Sequence, residues 1–478
     1  MLINPPRFNG VPVVREIRCA GTSPVSVYPP IDLAYIASYL RNEVEIKLLD
    51  ANGLNLGWSD VEKEVRSFQP DIVLYKTSPT TIAYDAKTAD IAKSVDKNIL
   101  TILDDAHIVP YLPEKTLEKF KNTDILVRGE SEKTVKMLIS AIKGKKSLKN
   151  VTGISFREND KVVNTLPTPP FENLDELPFP AYDLLPIKQY NSITFARKSP
   201  FMILVSSRGC PFSCDFCIVG GSTIWRGSGK GWYSRSAKNI LDEMELLVNK
   251  YGIKEIYIFD ETFTVDKKRV LDVCNGINDR KIKVSWSCNS RVNTLDDEML
   301  KCMKSSGCWN ILFGVESGSQ ELLDNIHKGI KIDEIKNAFK LTKVNGISAS
   351  ASFMIGLPGE TWETVEKTLQ LALEIEPDFC QFVITTPYPG TRLYDYVKEK
   401  KYLIKDYDFR GYDAYGIAED AVLRTDKMTS EDLMKAHGYV HKKFYLRPHY
   451  ILKRLFTIRS WMQVKMMLRG FFYITLNK

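Results

Sequence analysis

The chain has 478 residues, 44% of them hydrophobic and 26% charged, enough apolar material for two or three domains with cores of their own and too much for wholesale disorder. The net charge of +7 does not point to nucleic acid. No acidic residue follows Asp432, and the Lys and Arg residues beyond it outweigh the whole excess, so the body of the chain is slightly acidic. The opening MLINPPRFNG lacks the basic-then-apolar build of a secretory signal, and no run of about 18 apolar residues reads as a membrane span. The expected location is the cytoplasm, where nine cysteines are thiols or metal ligands rather than disulfides.

In chain order, residues 1–145 alternate short apolar runs with helical patterns. VEIKLLD (44–50), DIVLYKT (71–77), ILTILDD (99–105) and DILVRGE (124–130) read as buried parallel strands, which predicts a doubly wound α/β domain. Ligands of such sheets bind beyond the carboxyl ends of the strands, here near Thr77 and Ser78, Asp104 to His107, and Gly129 and Glu130. None of these loops is a GxGxxG or a P-loop, so a nucleotide cofactor is not indicated. Residues 146–198 are rich in proline (TLPTPPFENLDELPFPAYDLLP) and read as a linker.

Residues 199–400 carry six strand patterns separated by helical ones: FMILVSS, EIYIFDETF, KVSWSCNSR, WNILFGVESG, SASFMIGLPGE and CQFVITTPYPG. They predict a parallel barrel, partial or full, with catalytic loops at the strand C-termini. Residues 401–478 read as a helical region ending in a basic amphipathic tail, which either lies on a membrane interface or covers a domain face.

The stretch RGCPFSCDFC (208–217) follows the first barrel strand and places Cys210, Cys214 and Cys217 at C-x3-C-x2-C spacing. Zinc would need a fourth ligand, and neither a nearby histidine nor a second CxxC supplies one. A [4Fe-4S] cluster held by three thiolates leaves one iron open to a substrate or cofactor. The other cysteines, Cys19, Cys274, Cys288, Cys302, Cys308 and Cys380, are scattered and read as buried, inert thiols, with Cys302 and Cys308 the weakest cases.

The triplet, with an aromatic residue (Phe216) before its last cysteine and a strand-helix barrel behind it, resembles the radical S-adenosylmethionine (SAM) enzymes. The resemblance implies that the amino and carboxylate groups of SAM fill the fourth position. One-electron reduction, from a donor such as flavodoxin or ferredoxin, then yields methionine and a 5′-deoxyadenosyl radical. It further implies that IFDETF (258–263) grips the methionine moiety with Asp260 and Glu261, where relatives carry Gly-Gly-Glu. NSR (289–291) would set Asn289 near the ribose and pair Arg291 with the carboxylate. FGVESG (313–318) would place Glu316 at the fifth strand, beside the ammonium or ribose, and IGLPGE (355–360) would bring Ile355 and Gly356 behind the adenine.

The N-terminal half sharpens the resemblance. NPP (4–6), YPPIDLAYIASYL (28–40) with Pro30, PE (113–114), RGESE (128–132) and NLDELPFPAYDLLP (173–186) are similar to cobalamin-dependent radical SAM proteins, the group of hopanoid methylases and anaerobic magnesium-protoporphyrin ester cyclases. A flavodoxin-like domain holding cobalamin as methylcobalamin is implied. Two features depart from relatives. LDDAHIVPYLPE stands where Gly-Gly-Pro-His is frequent, and the D-x-H-x-x-G motif that supplies a lower cobalt ligand elsewhere is absent, so His107 reads as a turn residue or a contact to the nucleotide tail, with a cobalt ligand as the lesser alternative. The implied activity is C-methylation of an unactivated carbon, with Thr385, Pro387, Tyr388 and Tyr394 lining the substrate space. Oxidative cyclisation or carbon-carbon coupling without methyl transfer, and a cobalamin-binding sensor with a structural cluster, remain open. So does the substrate: lipid, tetrapyrrole, peptide or another small molecule, with peripheral attachment at the inner face of the membrane.

Overall fold

A computed structural model describes residues 1–16, 19–23, 26–192, 195–220, 231–409 and 421–457. Its first sheet begins with β1 (Leu2–Asn4), which leads into a hairpin of β2 (Val13–Glu16) and β3 (Cys19–Thr22). Four further parallel strands follow: β4 (Leu48–Asp50), β5 (Ile72–Lys76), β6 (Leu100–Asp104) and β7 (Ile125–Val127). Helices cover both faces, so the strands read as almost unbroken apolar runs, Ile3, Val73, Leu103 and Leu126 being wholly enclosed. Together with β8 (Ile154–Glu158) and β9 (Lys161–Asn164) the sheet runs β4-β1-β5-β6-β7-β8-β9. Its five parallel members thus have the flavodoxin-like order, with the switch point between β1 and β5.

Strands β8 and β9 differ from the sequence expectation, which put them in the linker. ISFREND and KVVN form an antiparallel hairpin on the edge of the first sheet, turned by Asn159 and Asp160 at φ 49° and 60°. Two successive positive φ values are the mark of a type I′ turn, and Asn and Asp tolerate them. The remainder of the supposed linker is a strap rather than a tether. Phe171, Tyr182 and Tyr190 are at most 2% exposed and share one core with Ile31, Ala34 and Tyr35 of the first domain and with the second sheet. Tyr182 Oη donates to Glu243 (2.6 Å), and Tyr190 Oη to Asp50 (2.8 Å).

The second sheet comprises β10 (Phe201–Leu204), β13 (Glu255–Ile258), β14 (Ser285–Ser290), β15 (Cys308–Glu316), β16 (Ser348–Ile355) and β17 (Phe379–Ile384). A small ribbon of β11 (Ser207–Gly209) and β12 (Trp232–Ser234) stands beside it. The six strands pair in sequential order and all parallel, an open partial (β/α)6 barrel. Its connecting helices are cleanly bounded. Ala237–Tyr251, for example, starts under a Ser236 side-chain cap and ends at Gly252 with φ 66°, as a left-handed terminus requires. Trp286, Phe313 and Phe353 fill the interior, and truncating one such ring to Ala costs about 3–5 kcal/mol.

After the barrel the chain returns to the first domain. Tyr407, Phe409 and Val422 sit in its core, and Tyr407 Oη donates to the Pro79 carbonyl at 2.9 Å. Helix Ser430–Tyr445 then buries Leu433, Ala436, Val440 and Phe444 within the barrel's core. The amphipathic segment on which the membrane reading rests begins at Phe444, which is buried, and continues through helix Pro448–Thr457 with Tyr450 buried; from residue 458 onward it lies outside the described residues. Among those described, no helix is long and apolar enough to cross a membrane.

Candidate active site

Parallel strands deliver their carboxyl ends to one rim, so the loops singled out in the sequence gather there. The cysteine loop leaves the ribbon at Gly209, whose φ is 79°. A Cβ at this position would stand 2.4 Å from the Gly231 carbonyl oxygen, so only glycine closes the ribbon. The Phe212 amide is directed at the Cys210 sulfur, and the Val219 and Gly220 amides at Cys217, the last at 3.4 Å. Arg291 Nη1 approaches Cys214 Sγ at 3.5 Å while its guanidinium stacks 3.8 Å from the Phe212 ring.

Burial pushes the Cys210 and Cys217 thiols up, Cys217 to about 12, and the neighbouring cysteine sulfurs add to it. That mutual influence places the sulfurs together in a setting where only a strong positive centre would hold them as thiolates. Among the described residues no three His, Cys, Asp or Glu side chains converge as a single metal ion would demand. Ligands of a four-iron cluster each bind a different iron and need not converge. The donor set, with amides directed at sulfur, fits a [4Fe-4S] cluster.

Around this loop the predicted residues divide. Asp260 is fully enclosed and committed. Its Oδ1 accepts from the Ser206 and Ser207 amides (2.7 and 3.1 Å), and its Oδ2 from both hydroxyls (2.5 and 2.6 Å). It therefore anchors the start of the cysteine loop, while the charge of Glu261, the other member of the expected pair, acts on Cys210. Asn289 is held from two sides, accepting from Tyr257 Oη (2.6 Å) and donating to the Asp260 carbonyl (2.9 Å).

Glu316 ends the fourth strand of the barrel, not the fifth, because the order β10-β13-β14-β15 puts three strands before it. A register shift after Gly314 and a φ of 68° at Glu316 itself turn its side chain inward, a conformation non-glycine residues adopt at a cost. Lys328, which the sequence reading missed, pairs with it at 2.5 Å and lies 5.6 Å from the Phe216 ring. The Lys328 carbonyl in turn accepts from Arg291 Nη2. Ile355 closes β16, and Gly356 follows at φ 98° with its amide donating to Glu360 (3.1 Å). Thr385 presents a buried hydroxyl without a hydrogen-bond partner. Tyr394 instead turns to Asp406 (2.5 Å), and Gly390, at φ 88°, makes PYPG a turn.

In the first domain the predicted residues line the carboxyl edge of the sheet, but most are tied into it. Thr77 donates to Asp85 (2.9 Å), Ser78 pairs with Thr81 (2.9 Å), and Asp104 accepts from Ser131 (2.6 Å) and lies 3.3 Å from Lys76. His107 faces Asp105 within its own turn (3.2 Å), and Pro30 precedes helix Ile31–Leu40. Gly129 has φ 90° with open space where a Cβ would stand. Glu130 is the exception. Both its carboxylate oxygens are buried without an aligned hydrogen bond, and burial pushes its pKa up. Its charge is nevertheless met by Arg208, whose Nη1 lies 3.2 Å from Glu130 Oε2.

Residues 204–372 match the radical SAM superfamily, and residues 17–139 match the B12 binding domain. An uncharacterized methyltransferase of Pyrococcus horikoshii is 39% identical over 92% of this chain and 93% of its own length. The chain belongs to the cobalamin-binding branch of the radical SAM superfamily. The anaerobic magnesium-protoporphyrin IX monomethyl ester cyclase of Rubrivivax gelatinosus is 28% identical over 89% of this chain and 75% of its own. The cobalamin-dependent SAM radical enzyme OxsB, solved with aqua-cobalamin and SAM bound, superposes with a TM-score of 0.73 at 18% identity, over 98% of this chain and 70% of its own. The protein is accordingly a radical SAM enzyme with a cluster, SAM and cobalamin as its cofactors, which sets the sensor reading aside. Such enzymes draw on an electron donor and act on small molecules.

Proposed function

We propose that this radical SAM enzyme is a cobalamin-dependent C-methyltransferase acting on an unactivated carbon. One observation carries the reading: a single chain joins a cluster loop to a cobalamin-type domain and is 39% identical, end to end, to a methyltransferase. When bound, the cluster and SAM supply a carbon-centred radical by one-electron reduction, and cobalamin supplies the methyl group.

The chain's own residues position these groups. Cys210, Cys214 and Cys217 hold the cluster, and Arg291 lies between Cys214 and the Phe212 ring, where its guanidinium can fork to a carboxylate. Glu261 and the Glu316–Lys328 pair offer charges for the ammonium and carboxylate of SAM. Ile355 and Gly356 give an apolar wall and a bare backbone for a flat base. The Thr385 hydroxyl, unpartnered at the end of β17, is free for substrate. A flavodoxin or ferredoxin on the cytoplasmic side would serve as donor. The substrate would be a lipid, tetrapyrrole or peptide, brought to the rim at the inner membrane face if the basic tail docks there.

Anaerobic reconstitution with iron, sulfide and cobalamin, followed by incubation with methyl-labelled SAM and cell extract, tests the proposal. Expected products are S-adenosylhomocysteine, 5′-deoxyadenosine and a labelled product; deoxyadenosine without methyl transfer overturns it. The likeness to the cyclase favours one second reading, oxidative cyclisation, which ring closure or water-derived oxygen in an unlabelled product would establish.

A further inference from the structure

Arg208 stands two residues before Cys210 and reaches across to the first domain. Its Nη2 lies 2.5 Å from Glu132 Oε1, while its Nη1 is 3.2 Å from Glu132 Oε2 and 3.2 Å from Glu130 Oε2. The side chain is 6% exposed, and the Tyr35 and Phe171 rings lie 5.6 and 6.0 Å from the guanidinium. Other buried pairs, Arg15–Asp85 and Arg235–Glu243, close within one domain. This one joins the start of helix Ser131–Lys143, which follows β7 at the cobalamin edge, to the ribbon that leads into the cluster loop.

Both ends of the link are stiff. On the barrel side, Ser207 is pinned to Asp260 and the ribbon pairs Arg208 with Tyr233, so little backbone freedom separates the guanidinium from Cys210. On the other side, Ser131 between the two glutamates donates to Asp104, which stands 3.3 Å from Lys76 at the end of β5. Ion pairs and hydrogen bonds, joined by the single backbone step from Glu130 and Glu132 to Ser131, therefore connect the cysteine loop to the carboxyl edges of β5, β6 and β7. A forked arginine fixes orientation as well as distance, which a lysine does not.

We propose that Arg208 is a positioning residue: through Glu130 and Glu132 it fixes where the cobalamin-binding edge stands relative to the cluster and the SAM it binds. The inference rests on the methyl-transfer reading only for its effect on turnover. Arg208 acts through the two glutamates, setting the gap across which a methyl group and a radical must meet.

The test uses the full chain reconstituted with cluster and hydroxocobalamin, reduced so that both cob(II)alamin and the cluster are paramagnetic. Pulsed EPR then reads the distance between them, with iron and cobalamin stoichiometry measured alongside. In Arg208→Gln the distribution should broaden relative to wild type while both cofactors remain bound. S-adenosylhomocysteine formation should fall at least tenfold and 5′-deoxyadenosine no more than about twofold. Arg208→Lys should recover the charge but only part of the distance sharpness. An unchanged distribution in Arg208→Gln overturns the proposal, and so does a parallel loss of both products. Should Arg208→Gln fail to load its cluster, Glu132→Gln, in which the fork is lost but Arg208 keeps its charge partner in Glu130, must show the same broadening. If wild type forms no S-adenosylhomocysteine, the methyl-transfer reading fails while the distance measurement still decides the positioning role.

Discussion

Asp260 and Glu261 adjoin in sequence yet have different work, and their separate substitution measures the difference. Asp260→Ala removes the acceptor of four hydrogen bonds in a fully enclosed site. The two serine hydroxyls can turn to other acceptors, but the Ser206 and Ser207 amides are left bare, at about 1–3 kcal/mol each. Arg269, 3.7 Å away, loses its counter-charge as well, which brings the expected cost to about 4 kcal/mol. For a folding unit the size of the barrel this lowers the thermal midpoint by roughly 10 °C. Iron incorporation should fall with it, since the loop these bonds anchor carries the cysteines. Glu261→Gln, on a half-buried residue, should leave the melt within about 0.5 kcal/mol of wild type. Equilibrium dialysis against the reconstituted protein should show SAM binding weakened about tenfold, as expected when a hydrogen bond to a charged group is lost. If Asp260→Ala melts like wild type while its SAM affinity collapses, the anchoring role is refuted and Asp260 is the ligand after all.

Replacing any one of Cys210, Cys214 or Cys217 with Ala should abolish the visible absorption of the reconstituted cluster and all 5′-deoxyadenosine formation, while far-ultraviolet circular dichroism stays near wild type. Gly390→Ala would put a Cβ 2.1 Å from the Tyr111 ring of the first domain, and overpacking of this kind costs about 1–3 kcal/mol; Tyr111→Leu in the same chain should restore only the overpacking part of the lost melting temperature, because an alanine at φ 88° stays strained. Burial lifts the Glu360 carboxyl from 4.5 to about 7. The folded state therefore holds a proton that the unfolded state releases, and stability falls as pH rises from about 4.5 to about 7, by about 3 kcal/mol in all. Glu360→Gln should flatten that part of the denaturant-midpoint profile and be the more stable form at pH 8, whereas an unchanged slope would place the titration elsewhere.

What could be read in the sequence was what the chain specifies locally. Cysteine spacing needs ten residues, and a buried parallel strand advertises itself as a short apolar run because helices cover both faces. The six barrel strands, four of the five parallel strands of the first sheet and the cysteine triplet were legible for that reason, whereas the flavodoxin-like order came from the resemblance to a family and β1 was not read. The ISFREND/KVVN hairpin was missed: its Asn-Asp turn was a signal, but the surrounding prolines made the stretch read as a linker. Side-chain direction at a strand end was not. Whether Asp260 or Glu261 faces the rim depends on a half-turn of backbone after β13, and Glu316 points inward only because a register shift and a positive φ redirect it. Least legible were pairings made by domain packing. Arg208 finds Glu132 from 76 residues away, and within the barrel Lys328 likewise meets Glu316 beyond helix Gln320–Asn325, with no periodicity linking either pair. The Arg208 pairing also ties two separately readable domains together, so the contact least visible in the sequence is the one that holds the cobalamin-type domain against the cluster loop.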